Sequence, residues 1–96
     1  MTINGIIFND ETPLELAEIL QDCIRKGTKV TIKYGNPKTG DTWDNALYRN
    51  GYIQVRNSYP YIVTSRSKYH RKVKGMYMLD HCIFELSVSK SNRVLY

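Results

Sequence analysis

No apolar run in this 96-residue chain comes near the roughly 20 residues that a membrane-spanning helix needs. The first ten residues lack the basic start and long apolar centre of a secretory signal, so a cytoplasmic protein is expected. Cysteine is scarce: Cys23 and Cys82 sit in apolar patterns without the spacing of a disulfide framework, and both are expected as buried, reduced thiols. Histidine is equally scarce, His70 and His81, so nothing offers the paired ligand spacing of a zinc site. There is no P-loop, no nucleotide-binding glycine triplet and no His-Glu-x-x-His. Asp80-His81-Cys82 brings three reactive residue types together, but neighbouring side chains on a strand point to opposite faces. His81 and Cys82 are therefore not expected to share a reacting atom: Cys82 packs inward, while Asp80 and His81 fix the entry of the last long strand by hydrogen bonds. No catalytic residue, metal or cofactor is expected.

One further absence organises the rest. From residue 49 to residue 75, a run of 27 positions, there is neither Asp nor Glu. The same run holds Arg49, Arg56, Arg66, Lys68, Arg71, Lys72 and Lys74, and five of these seven fall within residues 66–75. Tyrosines are threaded through the same part of the chain at Tyr48, Tyr52, Tyr59, Tyr61, Tyr69 and Tyr77. Cations attract phosphates, and phenol rings stack on bases. A charge run is ordinarily a solvated loop that keeps a domain soluble. The missing acids and interleaved rings favour a phosphate-contacting surface made by Arg56, Arg66, Lys68, Arg71, Lys72 and Lys74, with Tyr69 and His70 stacking or hydrogen bonding. Ser65 and Ser67 flank Arg66 and form either a small anion cradle or a hydroxyl-capped turn.

Charge is lopsided on the larger scale. The net charge of +5 divides into −2 for residues 1–48, with seven acids and five bases, and +7 for residues 49–96, with nine bases and only Asp80 and Glu85. If the halves occupy different faces, the positive one steers an anionic partner.

The length supports one domain with a single modest core. Residues 2–8 are rich in strand formers, with Gly5 marking a bulge. Thr12-Pro13-Leu14-Glu15 reads as a capping box with proline at the first helical position. Leu16, Leu20 and Ile24 then repeat at helical spacing, so an amphipathic helix over 13–26 is expected, closed by Gly27. Its acidic side, Glu15, Glu18 and Asp22, is a solvated face or a protein-docking surface. Val30, Ile32 and Tyr34 alternate with Lys29, Thr31 and Lys33, a half-buried strand with a cationic outer face. A turn-rich loop at 35–41 leads to a strand over 42–48 anchored by Trp43. Asn50-Gly51 is the dipeptide of a type I′ hairpin and would join that strand to one over 52–56. Ser58-Tyr59-Pro60 reads as a turn, 61–65 as a strand, and the stretch from Met76 or Tyr77 to Val88 as a longer strand with Cys82, Phe84 and Leu86 on one parity and Ile83 and Glu85 on the other. Residues 93–96 add a short edge strand or fray. The sum is an α+β domain, one N-terminal helix packed on a five- to six-stranded, strongly bent antiparallel sheet, or a small SH3-like barrel.

Five stretches carry a resemblance: residues 27–35, Thr39-Gly40-Asp41-Thr42-Trp43, Gly51-Tyr52-Ile53, Ser65-Arg66-Ser67 and Leu79-Asp80-His81-Cys82-Ile83. Over residues 12–86 the chain resembles a group of small proteins encoded by bacteriophages, prophages and conjugative elements. Proteins of that size and setting resemble anti-defence factors, anti-CRISPR inhibitors among them. The resemblance implies a non-enzymatic inhibitor whose partner is a Cas ribonucleoprotein effector or its nucleic acid. It also admits a sponge for a nucleotide immune signal, held by Ser65, Arg66 and Ser67, or a plain DNA- or RNA-binding accessory protein. In that group a glycine-rich run follows Ser-Arg-Ser. Here residues 68–74 are cationic instead, which favours an exposed basic finger over a glycine-lined pocket.

Overall fold

The computed structural model of the chain describes residues 1–35, 39, 48–64, 75–79 and 83–96. The described residues form two short strands, β1 (Thr2–Ile3) and β2 (Ile6–Ile7), one helix, α1 (Leu14–Lys26), and five further strands: β3 (Lys29–Tyr34), β4 (Tyr48–Arg56), β5 (Tyr59–Thr64), β6 (Gly75–Met78) and β7 (Ile83–Val88). β1 and β2 pair as a separate hairpin, and the others form an antiparallel sheet in the order β6-β5-β4-β3-β7. The class is α+β, with the helix lying on one face of the sheet.

The sheet is not a closed barrel, contrary to the SH3-like alternative. The reason lies at its β7 edge. β7 pairs with β3 along one edge, and on its other edge the C-terminal segment bonds Leu86 and Val88: Val88 N–H donates to Arg93 O at 2.8 Å and Leu95 N–H to Leu86 O at 2.7 Å. Ser87 and Val94 form a bridge there. The Leu86–Val88 part of the edge that closure would require is thus already covered, which also blunts it against intermolecular pairing.

Two Asn-containing turns exchange the roles expected for them. Asn4 and Gly5 have φ of 49° and 79°, so the first ten residues contain a tight hairpin and not a bulged strand. Asn50-Gly51, by contrast, is no turn: β4 runs straight through it, with Gly51 opposite Val30 on one side and Thr64 on the other. The β4–β5 reversal occurs at Asn57-Ser58, whose φ values of 52° and 72° meet the positive-φ condition at both central positions. Tyr59 and Pro60, expected in the turn, already belong to β5. With Arg56 and Tyr59 as the closing pair, Pro60 falls at the next, non-hydrogen-bonded position opposite Val55, where its missing N–H leaves the β4 ladder intact. Its carbonyl accepts from Leu79 N–H at 3.0 Å.

The helix begins one residue later than its sequence signature. Pro13 is the N-cap, with φ −58° and ψ 140°, and no side chain caps the helix. The Thr12–Glu15 capping box therefore does not form. A residue before proline is held in extended conformation, and Thr12 is buried at 6% exposure with its N–H bonded to Asn9 O at 2.9 Å. The C-terminus is as expected: Gly27 adopts the left-handed conformation, φ 65°, and Thr28 N–H reaches back to Cys23 O at 3.1 Å.

Leu16, Ala17, Leu20 and Cys23 of α1 are buried with Val30, Ile32, Tyr34, Ile53, Ile62, Ile83 and Leu86 of the sheet, joined by Phe8 and Leu79. Each fully buried Leu or Ile contributes about 1.5–3 kcal/mol. β7 departs from simple alternation. Lys33 pairs with Glu85 but Tyr34 with Ile83, so Phe84 is an extra residue at a bulge. The bulge turns both Ile83 and Leu86 into the core, correcting the parity expected from sequence. Cys23 is a buried free thiol, and burial, with the Asp22 charge beside it, raises its pKa. Cys82 and Trp43 lie outside the described residues.

Candidate nucleic-acid interface

With α1 on one side, the opposite face of the sheet is built by the alternate residues of each strand. On β3 these are Lys29, Thr31 and Lys33. On β4 they are Asn50, Tyr52, Gln54 and Arg56, on β5 Tyr59, Tyr61 and Val63, and on β7 Glu85 and Ser87. The period of two that buries Val30, Ile32, Ile53 and Ile62 forces their neighbours outward.

Register then decides which of them meet. Lys29 stands opposite Tyr52, which stands opposite Val63. Gln54 pairs with Tyr61, and Arg56 with Tyr59 at the hairpin end. Tyr52 and Tyr61 are diagonal neighbours, a separation of about 7–8 Å between backbones. Tyr52 is 48% exposed and Tyr59 39%, large values for aromatic side chains. Three rings thus descend obliquely across β4 and β5, flanked by the cations of Lys29 and Arg56. Among the described residues of this face Glu85 is the acid, and it sits at the β7 side opposite Lys33.

A polar knot fixes the upper corner. Asn50 Nδ2 donates to Thr31 Oγ1 at 2.9 Å and to Ser89 Oγ at 3.0 Å, and the two hydroxyls lie 3.0 Å apart. One carboxamide therefore ties β4, β3 and the turn after β7. Beside it opens a shallow recess of about 650 Å³, lined by Lys29, Asn50, Tyr52, Ser89 and Lys90 among others. Two lysines, hydroxyl groups and one aromatic wall suit a phosphate and a flat ring.

The acids lie elsewhere. Glu15, Glu18 and Asp22 belong to α1, on the other side of the sheet. The hydrogen bond from Lys26, with Arg25 also paired to it, holds the Asp22 carboxyl below the usual carboxylate range. That carboxylate is met by neighbours on its own helix. Asp10 is likewise lowered, by the hydrogen bond and charge of the Met1 ammonium at 2.7 Å.

Of the site residues expected from sequence, Arg56 is described and stands exposed on the outer face. Ser65, Arg66, Ser67, Lys68, Tyr69, His70, Arg71, Lys72 and Lys74 lie outside the described residues, as do Asp80, His81 and Cys82. The described part of β5 ends at Thr64 and that of β6 begins at Gly75, and these two residues, which bound the basic segment in sequence, are paired. Arg49, counted among the cations of the acid-free run, is on the other parity. It pairs with Ile32 and places its guanidinium 5.0 Å from the centre of the Tyr34 ring. Lys29, Tyr52 and Tyr61 are not among the site residues expected from sequence, although the alternation of Lys29 and Lys33 with buried positions, and the tyrosine spacing, carry the signal.

The site is therefore the aromatic and cationic face of an antiparallel sheet covered by a helix on its other side. No family model, curated protein or solved structure matches the chain. Among the described residues no three His, Cys, Asp or Glu converge as a metal site, and no helix is long and apolar enough to cross a membrane.

Proposed function

We propose that the chain is a non-enzymatic cytoplasmic binding protein whose partner is nucleic acid. In the anti-defence setting that its resemblance implies, it is an anti-CRISPR inhibitor acting at the nucleic-acid-handling groove of a Cas effector. One observation carries this reading: the segregation of charge and rings. The outer sheet face gathers Lys29, Lys33 and Arg56 with Tyr52, Tyr59 and Tyr61, while the helix acids lie across the sheet. The acid-free run from Arg49 to Gly75 supplies β4, β5 and the basic segment that starts and ends at the Thr64–Gly75 pair. Clustered cations opposite one partner give attraction over roughly a Debye length, about 8 Å at physiological salt, and orient the encounter.

The test is capture by the tagged full chain from a defence-competent host lysate, with and without nuclease and at low and high salt. Retention of a nucleic-acid-bearing Cas effector that high salt releases is the expected result. Capture that ignores salt and nuclease, or a thermal shift with cyclic dinucleotides in place of capture, would overturn the reading.

A further inference from the structure

We propose that the face of the sheet turned away from α1 takes a single strand of nucleic acid, with successive bases stacked on Tyr52 and Tyr61 and the backbone led along Lys29 and Arg56. This deepens the reading given under Proposed function and rests on it. The choice between single strand and duplex follows from shape. A duplex hides the faces of its bases and admits an α-helix or a two-stranded ribbon into its major groove, not the face of a broad sheet. The helix described here, α1, carries Glu15, Glu18 and Asp22, which phosphates repel. A single strand, by contrast, can splay its bases onto rings that stand on a sheet, and the backbone can follow neighbouring cations.

The geometry of the rings matches that use. Tyr52 and Tyr61 are diagonal across β4 and β5, and Tyr59 continues the line toward the turn, where Arg56 stands opposite it. At the other end Lys29 is directly across from Tyr52, and the recess between Lys29, Ser89 and Lys90 opens beside that ring. A phosphate seated there would leave its base over Tyr52. The charge is complementary: cations flank the line of rings, and Glu85 lies at the β7 side, away from it.

An exposed tyrosine on a strand also has a plain structural use, because aromatic residues favour the pleated surface. Threonine shares that preference without the ring, and phenylalanine keeps the ring without the hydroxyl. The experiment is fluorescence anisotropy with labelled oligo-dT, oligo-U and a duplex of equal length, using the full chain and its Tyr52→Thr, Tyr52→Phe, Tyr61→Thr and Lys29→Ala variants. Circular-dichroism melting of each variant accompanies it. Single strands are expected to bind about 10-fold or more tightly than duplex. Tyr52→Thr should weaken them about 10-fold and Tyr52→Thr with Tyr61→Thr about 100-fold, with Tyr52→Phe close to the parent. Lys29→Ala should reduce the salt slope by about 0.7. The difference between oligo-dT and oligo-U assigns DNA or RNA as the source of the strand. Equal binding of duplex, or parental binding by the folded threonine variants, would overturn the inference. If the threonine variants are silent while glutamates at Lys68, Arg71 and Lys72 remove binding, the inference falls and the broader reading stands. If no oligonucleotide binds the parent, both fall.

Discussion

Replacing Lys68, Arg71 and Lys72 together by glutamate should weaken nucleic-acid binding by about 100-fold or more at physiological salt and flatten its salt dependence. Each cation that neutralises a phosphate releases a counterion, so losing three contacts lowers the log–log slope by about 2 on a single strand and about 2.7 on a duplex. Reversal does more than remove contacts, because it puts three carboxylates, which phosphates repel, into a stretch of sequence that has no acid from Arg49 to Gly75. The measurement is a salt titration of binding for the parent and the triple variant, with a melting curve to show that both are folded. An unchanged affinity and slope would remove the basic segment from the interface, leaving the tyrosine face to account for binding alone.

The second large effect concerns the scaffold. Gly51→Ala should destabilise the domain by about 3 kcal/mol, the upper part of the ordinary range for overpacking, and lower the urea midpoint accordingly. A Cβ built on Gly51 would stand 2.8 Å from the carbonyl carbon of Val63, 3.1 Å from Thr64 Cα, and closest of all to Val63 O. These are backbone atoms of a paired strand, and no flexible side chain can swing aside. Relief requires β4 and β5 to separate where their pairing aligns Tyr52 with Val63 and Gln54 with Tyr61. Binding should therefore fall with stability in this variant. A midpoint equal to the parent's would show that the strands have room to move, and that the row of rings is not held by this contact.

Much of the scaffold is written in local sequence. The four-residue spacing of Leu16 and Leu20, the alternation of Val30, Ile32 and Tyr34, and Gly27 as a left-handed stop each depend on residues within one element, and all three are seen. What sequence reading misplaced depends on partners far along the chain. Two Asn-Gly dipeptides look alike, yet Asn4-Gly5 turns the chain and Asn50-Gly51 stays extended, because the second glycine meets the backbone of Val63. The local capping-box signal was overridden by burial: Thr12 is buried and Pro13 takes its place as cap. The face of β7 was misread because a bulge at Phe84 is created by pairing with β3. The interface shares that character. Lys29, Tyr52 and Tyr61 come from three strands, and only register brings them into one patch. The basic segment was visible as composition from the start, whereas the pairing of the residues that bound it, Thr64 and Gly75, emerges only from the register of β5 and β6.

If nucleic acid docks on the face turned away from the helix, a residue-resolved amide NMR titration with a short single strand will trace it. The expected footprint covers Lys29, Tyr52, Gln54, Arg56 and Tyr61 and leaves Glu15, Glu18 and Asp22 of α1 unmoved. Shifts confined to the helix, or none on β3, β4 and β5 while the strand binds, would contradict it.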